Sequence, residues 1–221
     1  MIHIMDTEFE ASEWRACLMF FAKKFAGISF YDFMLAIEKV YLAQWVSGVR
    51  KDERFGEYAK ILRSIETELV AVDVINAIKF DGKAIVNAGM AKNIYGSRHA
   101  KYFLLRLEVL SSENDMYKEI NAKSIEHVFP QKPDAASEWA RDIDFKEHQN
   151  VVNMLGNLVL LSKSKNSSAS NHDFLVKKER YLKDRVSDYP RSIKITAEQH
   201  WSIDKIKKMT DELAIKLVDN P

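Results

Sequence analysis

A chain of 221 residues is long enough for one large domain or two small ones, each with its own core. Its 33 basic and 32 acidic residues nearly cancel to a formal +1, which excludes a basic field over the whole molecule, so a nucleic-acid partner has to be met by a local patch. Cys17 is the only cysteine; that excludes disulfide frameworks and thiolate metal clusters and fits a reducing, cytoplasmic setting.

The first segment, MIHIMDTEFEASEW, has no basic stretch followed by an apolar run, so neither a signal peptide nor an anchor is expected. The apolar run from Cys17 to Ala22 is far shorter than the roughly 20 residues a membrane-spanning helix needs. From there to about residue 112 the pattern is helical. Trp14, Cys17, Leu18, Phe21 and Phe25 fall on one face of a helix between Glu10 and Phe25. Phe33, Ile37, Val40, Tyr41 and Trp45 mark a second helix after Ser29, ending near Gly48. Phe55, Tyr58, Ile61, Leu62, Ile65 and Leu69 mark a third from Asp52 to Val70. Shorter helices follow at Asp73–Phe80 and Lys83–Met90, then a longer one from Arg98 to Leu110. The aromatic and methionine positions need no explanation beyond a helical core. Residues 1–115 are therefore read as a helical scaffold domain.

The texture changes after Ser112. Short β-type runs stand at Ser124–Phe129 and Asn157–Leu161, with a helical segment expected between them from Ser137 to Met154. His148 is expected to face solvent there. A polar stretch, SKSKNSSASNHDF, leads into a basic amphipathic helix from Phe174 to Arg185. Asp188-Tyr189-Pro190 breaks it, and a terminal helix is expected over Thr196–Val218 behind a threonine cap. Residues 116–221 are read as a second domain, so the fold class expected is mainly α with a small two-stranded element, α+β.

Three pieces in this half carry chemistry: IEHVFP at 125–130, GNLVLL at 156–161, and KNSSASNHDFLVKKERY at 165–181. The first sets a carboxylate beside an imidazole. Neighbouring strand residues point to opposite faces, so Glu126 and His127 reach one point only where the strand ends irregularly, which Pro130 favours. The second opens with Asn157. The third supplies Asn166, nine residues further on, at a helix start. Alone, each piece is weak: a Glu-His pair is commonly surface decoration, Gly-Asn-Leu is ordinary turn chemistry, and Asn166 serves as well as an N-cap.

Their order resembles the ββα-metal (His-Me) finger of HNH nucleases. More closely, the pattern IEHVFPQ…W…N.LGNLVLL…N…SN..F..K…Y is similar to the C-terminal nuclease domain of GmrSD-type restriction endonucleases, over Ser124–Tyr181. The resemblance implies a Mg²⁺- or Mn²⁺-dependent endonuclease acting on foreign, phage or modified DNA in a restriction and defence system. It implies His127 as the general base and Asn157 as the residue that holds the loop and orients the His127 ring. It implies Glu126 and Asn166 as metal ligands. His172 is a further candidate to approach metal or phosphate, the alternative being an exposed histidine at a helix start. Members of the family usually carry an N-terminal ParB-like nucleotide-hydrolysing domain; nothing here matches one, so the chain is expected to be a C-terminal half or a short stand-alone relative. The cysteines that brace many HNH fingers with zinc are absent, and Val128-Phe129 stands where the family more often has Ile-Leu.

Between Lys163 and Lys194 nine basic residues face four acidic ones. Lys163, Lys165, Lys177, Lys178 and Lys183 are read as contacts to the DNA backbone, which carry affinity but no base information. Two rival functions remain open: an RNA- or structure-directed nuclease with the same finger, and an inactive finger that docks nucleic acid or a partner.

Overall fold

The computed structural model describes residues 1–112, 124–141, 144–161, 171–182 and 189–219, with Tyr181 and Leu182 by backbone alone. The chain divides into two compact units, Ile2–Val86 and Asn87–Asp219. Among the described residues no helix is long and apolar enough to cross a membrane.

The first unit is helical throughout: α1 (Ile2–Glu8), α2 (Glu13–Lys24), α3 (Phe30–Val46), α4 (Lys51–Thr67) and α5 (Ala71–Ala77). The apolar stripes meet over most of their length, but Phe55 of α4 is exposed and Leu69 lies beyond the end of α4, also exposed. Cys17, Leu18 and Phe21 of α2 are buried with Phe33 and Ile37 of α3 and with Tyr58, Ile61 and Ile65 of α4. The Phe21 and Phe33 rings stack at 3.8 Å, and Phe9 stacks on Tyr41 at the same distance. Helix α3 ends two residues before Gly48, which takes φ +64°, the left-handed conformation that glycine adopts without steric cost. Lys24 closes the far end of α4, its Nζ donating to the carbonyls of Ile65, Glu66 and Glu68. Burial pushes the Cys17 thiol up to about 12, so it behaves as a small core hydrophobe.

Helix α6 (Gly82–Gly89) runs across the boundary between the units. The second unit then continues with α7 (Ala100–Ser111), β1 (Ser124–His127), α8 (Glu138–Arg141), α9 (Phe145–Val151) and β2 (Leu158–Leu161). It ends with α10 (Phe174–Leu182), α11 (Pro190–Thr196) and α12 (Ile203–Lys216). Helix α7, expected in the scaffold, falls in this unit, because it packs on β2 and α11. The two strands pair antiparallel with Glu126 opposite Val159 and His127 opposite Leu158. All four residues of β2 are buried, as a strand covered on both faces requires. Behind it, Ser192 donates to the Leu160 carbonyl at 2.8 Å. The Arg191 guanidinium donates to the Leu158 carbonyl at 3.3 Å, and the Arg191 main-chain N–H donates to Glu108 at 2.9 Å.

Several local expectations change in this unit. Strand β1 stops at His127, with Val128 and Phe129 in a bend. The helix expected over Ser137–Met154 is two shorter helices, α8 and α9. Asn157 lies in a 3-10 turn, Leu155–Asn157, ahead of β2. Thr196 ends α11 and caps nothing; the terminal helix starts at Ile203, with the Ser202 side chain accepting from the Lys205 N–H. Pro190 is the first residue of α11, where its missing N–H has no cost. A core of Val128, Phe129, Trp139, Val151, Val159, Leu161, Phe174, Ile195, Trp201 and Ile206 joins these pieces.

Helix α12 lies directly against the turn Leu155–Asn157. A Cβ at Gly156 would meet the Ile206 carbonyl oxygen at an impossible distance and the Thr210 nitrogen at 2.8 Å, both backbone atoms that cannot swing aside. The Gly156 N–H donates to Thr210 Oγ1 at 2.9 Å. Gly156→Ala should therefore lower stability by about 3 kcal/mol or more, read as a fall in the urea midpoint; an unchanged midpoint would show that α12 does not sit on this turn.

Candidate functional site

Asn157 organises the site from below. Its side chain is fully buried and uses all four of its hydrogen-bonding capacities. Oδ1 accepts from the Phe129 N–H at 2.8 Å and from the Trp201 indole at 3.1 Å. Nδ2 donates to the carbonyls of Phe129 at 2.9 Å and Val152 at 2.8 Å. Its main-chain carbonyl accepts from the Val128 N–H at 3.0 Å. The bend that ends β1 just after His127 is thus held on both sides. None of these bonds reaches the His127 ring.

That ring is met by a different residue. His127 Nε2 lies 3.0 Å from Asn153 Oδ1, which also accepts from Gln131 Nε2 at 3.1 Å. Tyr95 presents its ring edge-on to the imidazole, 4.5 Å between centroids, and its main-chain N–H donates to the Asn153 carbonyl at 3.3 Å. His127 is 8% exposed. Burial drives its pKa down to about 4; the Asn153 bond opposes the shift, and Lys177 and His148 nearby add to it. The imidazole is neutral at cellular pH. Asn153 stood unassigned in the sequence motif; the available signal was its place one helical turn before Asn157.

Glu126 has other company. Lys177 of α10 is fully buried, and its Nζ lies 2.7 Å from Glu126 Oε1 and 2.7 Å from the His127 carbonyl oxygen. Burial lowers the Lys177 pKa while the Glu126 carboxylate raises it. Strand alternation separates the two neighbours: Glu126 takes Lys177 from α10, His127 takes Asn153 and Tyr95.

Lys177 is therefore an internal counter-ion, which corrects its reading as a surface contact to phosphate. Arg191, part of the same local basic excess, is also buried. Lys178 is half-buried, donates to the Glu198 carbonyl at 2.6 Å and lies over the Phe174 ring. Lys163, Lys165, Lys183 and Asn166 lie outside the described residues. His148, expected in solvent, is buried; its Nε2 is 2.9 Å from the Pro130 carbonyl and its ring sits against Phe129. His172 is exposed, with its carbonyl accepting from the Trp139 indole at 3.0 Å. The start of α10 is fastened by a reciprocal pair, Glu138 N–H to Asp173 and Phe174 N–H to Glu138.

The donors now on view test the expected cation. Among the described residues no three His, Cys, Asp or Glu side chains gather to hold a metal. Glu126 is a single carboxylate with an ammonium already on it, so the described residues do not by themselves form a divalent-cation site.

The model of the C-terminal domain of GmrSD restriction endonucleases matches residues 83–216, more than half of the chain and nearly all of the second unit. No curated protein and no solved structure matches.

Two outcomes follow from the buried charges. Lys177→Met leaves Glu126 buried without its cation and should cost about 3–5 kcal/mol, with Glu126→Gln in the same chain recovering most of it. Urea unfolding of the three proteins reads this, and a Lys177→Met midpoint equal to wild type would place the lysine in solvent. The His127 pKa, lowered from 6.5 to about 4, means that the unfolded chain binds the extra proton between those values. The stability it contributes is complete above pH 6.5 and is lost as pH falls towards 4. In EDTA, the wild-type urea midpoint should fall across that window more steeply than that of His127→Gln; parallel curves would contradict it.

Proposed function

Because this chain belongs to the family of C-terminal domains of GmrSD restriction endonucleases, we propose that it is a nuclease of a restriction system that hydrolyses DNA phosphodiester bonds. The observation that carries this reading is His127: a buried, neutral imidazole at the end of β1, fixed by a hydrogen bond and set beside an acidic residue. A neutral imidazole can take a proton from the attacking water. The order β1, β2, then α10, with α10 packed through Lys177 on Glu126, supports a ββα-metal finger. A hard cation, Mg²⁺ or Mn²⁺, on Glu126 and Asn166 belongs to the same proposal. It requires the Lys177 ammonium to release Glu126 or to share it. The DNA substrate, its origin in phage or other foreign DNA, and an N-terminal ParB-like partner are proposed on the same family grounds.

A specific observation favours a second reading. The Lys177–Glu126 pair suits a finger that docks nucleic acid or a partner subunit without cutting. One assay separates the two. Wild-type protein should nick plasmid DNA with Mg²⁺ or Mn²⁺ and fall silent in EDTA, and His127→Ala should lose cleavage while keeping fold and DNA affinity. Activity above a few per cent of wild type in a clean His127→Ala preparation would remove His127 from the chemistry, and no cleavage by the wild type would favour the docking module. Parallel DNA and RNA substrates decide the polymer.

A further inference from the structure

We propose that Asn153 is the positioning residue of this site, holding His127 in the Nε2–H tautomer so that Nδ1 carries the lone pair that receives the proton. The proposal rests on His127 being the general base. It extends the acid, histidine and two asparagines of the motif by a residue with no role assigned to it.

The argument is one of donors and acceptors. Gln131 Nε2 can only donate, and it lies 3.1 Å from the same Asn153 atom that lies 3.0 Å from His127 Nε2. That atom is the Asn153 amide oxygen, an acceptor shared by the two. An acceptor is satisfied only by an N–H, so the proton of the neutral imidazole sits on Nε2. Asn153 is itself held at both ends. Its carbonyl accepts from the Tyr95 N–H, and the turn around it is closed by the Met154 N–H donating to Val151 and the Asn157 N–H donating to Met154. Tyr95 then covers one side of the imidazole with its ring at 66°, limiting rotation of the imidazole. Tyr95 is 40% exposed, so this wall also borders solvent. The hydrogen bond made by one ring nitrogen of a reactive histidine fixes the tautomer and the orientation of the ring.

In the step this serves, the water oxygen forms its bond to phosphorus as Nδ1 takes one of its protons. The bond from phosphorus to the 3′ oxygen breaks with its electron pair on that oxygen, which takes a proton from solvent. The imidazolium then returns its own proton to solvent.

The test uses the full chain labelled with ¹⁵N, the His127 signals being identified by their loss in His127→Gln. At pH 7.5 the wild-type long-range ¹H–¹⁵N spectrum should show Nε2 protonated and Nδ1 bare. Asn153→Leu should mix the tautomers and lower kcat on plasmid DNA about 10- to 100-fold with KM unchanged. Asn153→Asp, which keeps an acceptor oxygen, should keep the Nε2–H signature and recover most of kcat. A wild-type spectrum with the proton on Nδ1 overturns the proposal, and so does an Asn153→Leu protein with wild-type kcat or a change in KM alone. The wild-type spectrum decides the tautomer even where Asn153→Leu does not fold. Wild-type protein that shows Nε2–H and cuts no DNA overturns the general-base reading and leaves the spectra to decide the clamp.

Discussion

The architecture of the second unit depends on the buried amide of Asn157. A primary amide sealed away from water costs several kcal/mol unless its donors and acceptors are met. Here every one is met, by residues from three separate stretches: Phe129 after β1, Val152 after α9, and Trp201 ahead of α12. Such a residue acts as a registration pin. A shift of any of the three segments would leave an unpaired polar group in the core, so the bend after His127 has one allowed geometry. Gly156 beside it lets α12 approach backbone to backbone, closing the turn from the other side.

The same low-dielectric surroundings account for the electrostatics. Four charged side chains beside the strands are turned inward. Lys177 neutralises Glu126 beneath the strand, and Arg191 braces β2 together with Glu108. Buried pairs of this kind add little net stability against apolar substitutes, but breaking one by removing a partner is costly. Their value here is placement: α10 cannot rotate without separating an ammonium from its carboxylate. The imidazole of His127, with Asn153 Oδ1 against its Nε2, responds to burial by staying neutral. A neutral imidazole at cellular pH thus arises from desolvation, with the Lys177 ammonium adding to it, while Asn153 Oδ1 lies 3.0 Å from Nε2.

Much of this was open to reading from the chain alone. The helical stripes around Phe21, Phe33 and Tyr58 are legible because helix periodicity is local and the core simply collects it. The two short strands are legible as β-type runs between turn residues, whereas the role expected of Asn157 comes from the family resemblance alone. The family is likewise written in the chain, since the pattern from Ile125 to Tyr181 lies within the matched residues. What periodicity cannot supply is the partner of a polar side chain. Lys177 sits in a run of basic residues that reads as a solvated face, and only the packing of α10 against β1 sends it inward. His148 lies on an amphipathic segment whose buried side is set by Pro130 and Phe129, remote in sequence. Thr196 and Ser202 are both good caps on propensity; tertiary packing of α11 chose between them. The sequence by itself determined the family and the order in which the motif residues come. The tertiary structure decided which of them meet, because hydrogen-bond and charge partners come from stretches distant along the chain, and burial together with those partners sets the protonation of His127 and Lys177.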